Sequence, residues 1–217
     1  MAGSQNTFFA MMSRMKYIER WALMRNSARE NISEHSLEVA IIAHALAVIG
    51  NTRLGKNYNP EHIAMLGVYH DCTEIITGDM PTPVKYENSE IQSAYKQIEK
   101  AAAFRLLNML PSDLREEYEG YFIESTEDKE LRLLVKAADK ISALVKCAEE
   151  IKAGNREFCS AENTLQEAVN KLHCPEADLF MDEFFPMYRL TLDELYSRPP
   201  EFTDPSNARN IAGGLSL

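Results

Sequence analysis

Apolar residues return at intervals of three and four along almost the whole chain, and no stretch alternates apolar with polar residues. That period belongs to helices that bury one face, whereas a sheet needs a period of two. The cap signals agree. Asn31 or Ser33 can open one helix, with Glu34 three residues after Asn31 in capping-box spacing, and Asn59 followed by Pro60 opens another. The pattern predicts helices over 7–19, 31–49 with a stop at Gly50, 60–71, 89–109 ended by Pro111, 128–152 ended near Gly154, and 177–196 with a break at Pro186. Segment 77–83 carries Pro81 and Pro83 and is predicted to be a stiff loop without helix. The expected fold class is all-α.

The chain has 217 residues, 45% of them apolar, enough for a sizeable core. There is no internal repeat and no linker before Arg198, so one domain is expected over 1–197, followed by a flexible tail over 198–217 rich in Pro, Gly, Asn and Ser. A net charge of -10 argues against a nucleic-acid polymer as partner. A small anion stays compatible, because a metal and one or two cationic side chains reverse the field locally. No uninterrupted apolar run of membrane-spanning length is read from the sequence, the start lacks a signal-peptide layout, and Ala2 removes the myristoylation motif. Cys72, Cys147, Cys159 and Cys174 form no C-x-x-C pair and read as reduced thiols, which suits a cytoplasmic protein.

The titratable residues on inward faces carry the functional signal. His35 lies in line with Val39, Ile42 and Leu46; His70 follows Ile63 and Leu66, with Asp71 at the edge of that face; Asp139 flanks a stripe of Leu131, Val135, Ser142 and Val145. Three helices thus direct two imidazoles and two carboxylates inward, as metal sites in helical bundles do. A shell of two nitrogens and two oxygens suits Mn, Fe, Co, Ni or Zn and lacks the thiolates of a structural zinc site. Taken singly, each residue reads as a satisfied core histidine or an ordinary ion pair; the four together favour a metal. Glu74 is four residues after His70 and shares its face if the helix continues. His62 and His173 read as solvated or structural.

These residues sit in longer matching stretches: Glu19 to Asn26, Glu30 to Ser36, Tyr69 to Glu74, and Thr77 to Tyr86. Together they resemble the HD-domain metal-dependent phosphohydrolases, and among them the bacterial 5'-deoxynucleotidases of the YfbR type, over about residues 7–196. The resemblance implies a helical HD-domain fold and hydrolysis of deoxyribonucleoside 5'-monophosphates with selection against ribonucleotides. It also implies one divalent metal per subunit, such as cobalt or manganese, and a homodimer. It matches His35, His70, Asp71 and Asp139 to the metal ligands and Glu74 to the catalytic carboxylate. Arg20 matches the phosphate-orienting residue and Trp21 the residue packed on the sugar. Asp79, Met80, Pro81 and Thr82 match the nucleoside-contacting loop, with His35, Asp71 and Asp139 also touching substrate. Cys72 departs from the alanine-like residue usual there and is read as a small packing residue, not a ligand.

The chemistry is consistent with these types. A bound metal makes a water acidic near neutral pH and holds a phosphate oxygen. Arg20 offers a planar fork of donors to a second oxygen, and Glu74 is placed either to deprotonate the attacking water or to protonate the leaving oxygen. Two other classes stay open: an HD-type phosphohydrolase acting on a nucleoside triphosphate or an alarmone, and a non-catalytic helical binding protein. The former needs more cations than Arg14, Arg20, Arg25, Arg29 and Lys85 supply near the motifs.

Overall fold

Asn31 sets the position of the central helix. Its side chain accepts from the backbone N–H groups of Ser33 and Glu34, and Glu34 reaches back to the Asn31 N–H, closing the expected capping box. In the computed structural model, which describes residues 6–197 apart from 86, 124, 126 and 127 and only the backbone of Thr82, this helix runs Ile32–Arg53. The tail expected to be flexible over 198–217 lies outside the described residues.

Among the described residues the elements are α1 (Phe8–Met12), α2 (Ile32–Arg53), α3 (Pro60–Tyr69), α4 (Glu74–Thr77), α5 (Thr82–Lys85), α6 (Ser89–Leu107), α7 (Ser112–Phe122), α8 (Lys129–Lys152), α9 (Cys159–Asn170), α10 (Pro175–Glu183) and α11 (Leu192–Ser197). Short 3-10 segments cover Ser13–Tyr17, Arg156–Phe158 and Phe185–Arg189. The only ladder-like pairing among the described residues is an isolated antiparallel bridge between Glu19 and Asn31. The all-α expectation holds.

The main core is formed by α2, α3, α8 and α10, with Val39, Ile42, Leu46, Ile63, Leu66, Leu134, Ile141, Leu144 and Phe180 buried in it. A second cluster packs Phe8, Met15, Ile32, Cys72, Leu106 and Leu107 beneath α1 and α6. Helices α2 and α3 approach closely at Gly67, where an added Cβ would stand 2.9 Å from the Ala40 Cα. A side chain there would wedge the two helices apart. By length and composition α2 is apolar enough to cross a membrane, although Glu38 and His44 interrupt its apolar run as the sequence reading has it, and its apolar residues are mostly buried in the protein.

Several boundaries differ from those expected. Helix α2 runs past Gly50, whose missing Cβ makes room for the Tyr58 ring instead. The stop comes at Gly55, in the left-handed region at φ 66°, where Lys56 N–H donates to Gly50 O (3.1 Å) to close the cap. The first helix ends early. After the 3-10 segment, residues 18–20 extend and pair with 30–32 through Ile32 N–H to Ile18 O (3.0 Å) and Arg20 N–H to Glu30 O (2.9 Å). The 77–83 segment is not helix-free: α5 accommodates Pro83 because the first turn of a helix needs no N–H partner there. Helix α3 ends at Tyr69 and passes through a tight turn before Glu74 opens α4. Helices α7 and α9 had no strong sequence signal: α7 has no fully buried residue and α9 only Val169.

Candidate active site

The four inward residues come from α2, from α8 and from the C-terminal end of α3, with Asp71 in the turn just past that end. His35 stands one turn into α2 and is fully buried; His70 caps α3, held close to α2 by the Gly67 approach; Asp139 comes from the middle of α8. The imidazole centroids of His35 and His70 are 5.2 Å apart. His70 Nε2 lies 3.0 Å from Asp71 Oδ2, and His35 Nε2 lies 3.5 Å from the same oxygen and 3.2 Å from Asp139 Oδ1. Ligand atoms of His35, His70 and Asp71 all fall within 4.8 Å of one another, and Asp139 joins that group through His35.

The proton positions favour a cation. His70 Nδ1 donates to the Gly67 carbonyl (2.8 Å), which leaves a lone pair on Nε2. Both Nε2 atoms are buried and have no hydrogen-bond partner in the protein. Two orphaned imidazole nitrogens aimed at two carboxylates are what a divalent metal would satisfy. Burial and the nearby Arg20 cation push His35 below the ordinary histidine range. His70 goes the other way: burial opposes its charge, but the Asp71 and Asp139 carboxylates outweigh it.

Glu74 is buried at 7% exposure, and its Oε2 has no hydrogen-bond partner in the protein. Burial, then the Asp71 and Asp79 carboxylates, push it up to about 9 in the metal-free protein. Glu74 stands at the start of a new helix after the turn, near enough to Asp71 and Asp79 for their charges to act on it. Cys72 is buried in the second apolar cluster, as a packing residue would be.

Next to these residues is a cavity of about 450 Å³, bordered on one side by Arg20, Trp21, Asp79, Pro81 and Asp139. Arg20 Nη1 donates to Glu30 Oε2 at 2.6 Å, and Trp21 Nε1 donates to the same oxygen at 2.7 Å. Glu30 therefore fixes both side chains with one atom. Burial opposes the Arg20 charge, but Glu30, Asp139, Asp71 and Asp79 together hold its pKa above the ordinary value. Trp21 adopts φ 62°, a left-handed conformation that costs a side-chain-bearing residue about 1–2 kcal/mol. It is half-buried, with its indole against Phe158 at 5.3 Å between centroids, so it forms a wall rather than a core anchor.

The loop holding these two residues is fastened to α8. Glu150 accepts from the Ser27 and Ala28 N–H groups, from Lys146 and from Asn155, while Lys146 also donates to Ala28 O and Asn155 to Arg25 O. Burial works against the Glu150 charge, yet Lys146, Asn155 and the two amides hold its carboxyl well below the usual range.

Of the loop residues expected at the site, Asp79 and Pro81 border the cavity, and the half-buried Met80 does not. The Thr82 side chain lies outside the described residues. The far wall is α9, through Ser160, Ala161, Thr164 and Leu165. Lys140 also borders the cavity and donates to Asp139 Oδ2 at 2.8 Å.

A family model for 5'-deoxynucleotidases of the YfbR-like type matches residues 7–188. The 5'-deoxynucleotidase of Vibrio atlanticus is 51% identical over 191 residues, covering 88% of this chain and 98% of that protein. The 5'-deoxynucleotidase of Pectobacterium atrosepticum is 48% identical over 197 residues, 91% and 99% of the two chains. The chain belongs to the YfbR-like 5'-deoxynucleotidase family. Two solved structures share its fold. An HD-domain phosphohydrolase from Listeria innocua superposes with a TM-score of 0.71 at 21% identity, over 84% of this chain and 88% of that one. A cyanophage S-2L HD phosphohydrolase, bound to dA and one catalytic Zn2+ ion, gives a TM-score of 0.59 at 19% identity, over 84% and 96%. The fold is thus the HD-domain fold.

Sequence reasoning missed Glu30, Lys140, the α9 wall, and the pair behind His35, where Ser142 Oγ lies 3.0 Å from His35 Nδ1 and donates to Glu38 Oε2 at 2.6 Å. Glu30 sat inside a matching stretch without an assigned part, and Ser142 was read as one position of an apolar stripe. Nothing in the sequence of α9 marks it as a cavity wall.

Proposed function

We propose that this protein hydrolyses deoxyribonucleoside 5'-monophosphates to deoxynucleoside and phosphate, with His35, His70, Asp71 and Asp139 holding one divalent metal. The observation that carries the reading is the pair of partnerless imidazole nitrogens beside two carboxylates, opening on a cavity bordered by Arg20 and Trp21. The names of the close relatives agree with it. When bound, the metal supplies Lewis acidity toward a phosphate oxygen and acidifies a water.

The chain's own residues do the rest. Arg20, already oriented by Glu30, presents its fork to the phosphate, a bidentate match that lysine does not reproduce. Glu74, buried and without a hydrogen-bond partner on Oε2, exchanges a proton with the attacking water or with the departing 5'-oxygen. Asp79, Met80, Pro81 and Thr82 form the nucleoside-side loop. Trp21, beside the phosphate anchor, faces the sugar with an apolar wall and offers no acceptor to a 2'-hydroxyl. Leaving that hydroxyl buried without a partner disfavours a ribonucleotide by about 1–3 kcal/mol, roughly tenfold to a hundredfold.

Among the described residues, Arg20 and Lys140 are the cations bordering the cavity, which favours one phosphate over a triphosphate or alarmone. A single catalytic domain over 1–197 and a cytoplasmic location, in keeping with four free cysteines, complete the reading. So does a homodimer: Leu37, Ile41 and Val48 form an exposed apolar stripe on α2 that a second copy would cover, and sedimentation would measure that state directly.

The test is phosphate release from deoxynucleoside mono-, di- and triphosphates and from ribonucleoside monophosphates, before and after chelation and with metal restored. Release from the deoxy monophosphates that vanishes on chelation and returns with Co2+ or Mn2+ is expected. Preferential hydrolysis of the triphosphates would replace this reading with the second one.

A further inference from the structure

The two metal-facing histidines are oriented by different devices. His70 Nδ1 faces a backbone carbonyl, which can only accept, so its proton position is set without any other side chain. His35 Nδ1 faces Ser142 Oγ at 3.0 Å, and a hydroxyl can either donate or accept. What decides is the next atom along: Ser142 Oγ stands 2.6 Å from Glu38 Oε2 and donates to it. With Glu38 ionised, although burial pushes its carboxyl up to about 7, that single proton is committed there and the hydroxyl is left to accept from His35 Nδ1–H. Nε2 then carries the lone pair.

We propose that Glu38, acting through Ser142, is a positioning residue that holds His35 in its metal-binding tautomer. This rests on the reading of His35 as a ligand. His35 and Ser142 are both fully buried, so water does not offer an alternative partner. The pressure toward the wrong tautomer is on the page as well. Asp139 Oδ1 at 3.2 Å and Asp71 Oδ2 at 3.5 Å would both welcome a proton on Nε2 before a metal arrives. Without Glu38, the Ser142 proton is free to turn toward Nδ1, and the imidazole proton moves to Nε2, where it blocks coordination. The relay crosses from α2 to α8 and back, through Glu38 one turn after His35 and Ser142 one turn after Asp139. It therefore also ties the two ligand-bearing helices together at the level of the site.

The measurement is the affinity of the full chain for Zn2+ and Co2+, by competition with a chromophoric chelator, joined to the proton position on His35 in the metal-free protein by long-range 1H–15N NMR. Glu38→Ala and Ser142→Ala should each weaken metal binding by about tenfold to a hundredfold, the usual effect of losing an outer partner of a ligating histidine. The double variant should lose no more than either single one, because both act in one chain. The wild type should show the proton on Nδ1, and Glu38→Ala should shift it toward Nε2 while the circular-dichroism signal stays helical. If Glu38→Ala keeps wild-type affinity and the Nδ1–H form while His35→Ala loses the metal, the relay is overturned and the ligand assignment stands. If His35→Ala itself keeps wild-type affinity, His35 leaves the shell and the relay falls with it.

Discussion

The α2–α3–α8 seam and the wall that faces it are built by opposite rules. In the seam, ligands hang from long helices whose apolar faces interlock, and Gly67 lets α3 come close enough to α2 to bring His70 beside His35. In the wall, Arg20 and Trp21 sit on an irregular segment, Trp21 is in a strained conformation, and order comes from polar fastenings: Glu30 on the two side chains, Glu150 and Lys146 on the loop behind them. On the proposed reading, packing thus fixes where the metal would sit, and hydrogen bonds to a few carboxylates fix where the nucleotide would sit. Substitutions in the two regions should fail differently, the seam through metal content and the wall through recognition and local order.

The largest effect on stability belongs to the wall's fastening. Glu150→Gln leaves the Lys146 ammonium buried without its charge partner, and breaking a buried pair costs about 3–5 kcal/mol. Denaturant unfolding should show that loss with the seam's metal affinity retained. The pH dependence has a definite sign. The Glu150 carboxyl is depressed in the folded state, so its contribution is complete above its ordinary value near 4.5 and is lost as pH falls below it toward the folded value. The variant should lack that part of the acid-unfolding profile. An unchanged profile would mean the loop is held by other contacts.

Glu74→Ala should come next. Turnover of dAMP is expected to drop by about a hundredfold or more, with metal content unchanged, since Glu74 is not needed to complete the shell. Loss of metal in this variant would move Glu74 into the seam. Arg20→Lys should reduce kcat/KM by roughly tenfold to a hundredfold, the weight of a charge-assisted hydrogen bond, in a protein whose circular dichroism is unaltered. Trp21→Ala sharpens the contrast most finely. The preference for dAMP over AMP should shrink by up to about tenfold to a hundredfold while metal binding is untouched. A folded variant that keeps the full preference would remove Trp21 as the gate.

The same contrast explains what could be read in the sequence. The seam was legible because His35, His70 and Asp139 stand in register with apolar residues at helical spacing, and periodicity reports faces of long helices. Arg20, Trp21 and the 79–82 loop were found only through their likeness to known motifs, since an irregular segment has no period to read. Helix α9 escaped both routes: it buries little, and Ser160 and Thr164 look like solvent-facing residues until the cavity is seen beside them. The Glu38–Ser142 contact depends on which helices become neighbours, 104 residues apart in sequence, and the Glu30 contacts on how the segment before α2 doubles back on itself; that information exists only in the fold.

The most direct test of the account is a titration of Co2+ into chelator-treated wild type and His70→Ala, following bound metal and dAMP hydrolysis in the same samples. The account predicts that wild-type activity rises in step with bound metal and saturates at one ion per chain, while His70→Ala gains neither. Activity that is full before any metal is added, or a His70→Ala variant that binds one ion and hydrolyses dAMP like the wild type, would contradict it.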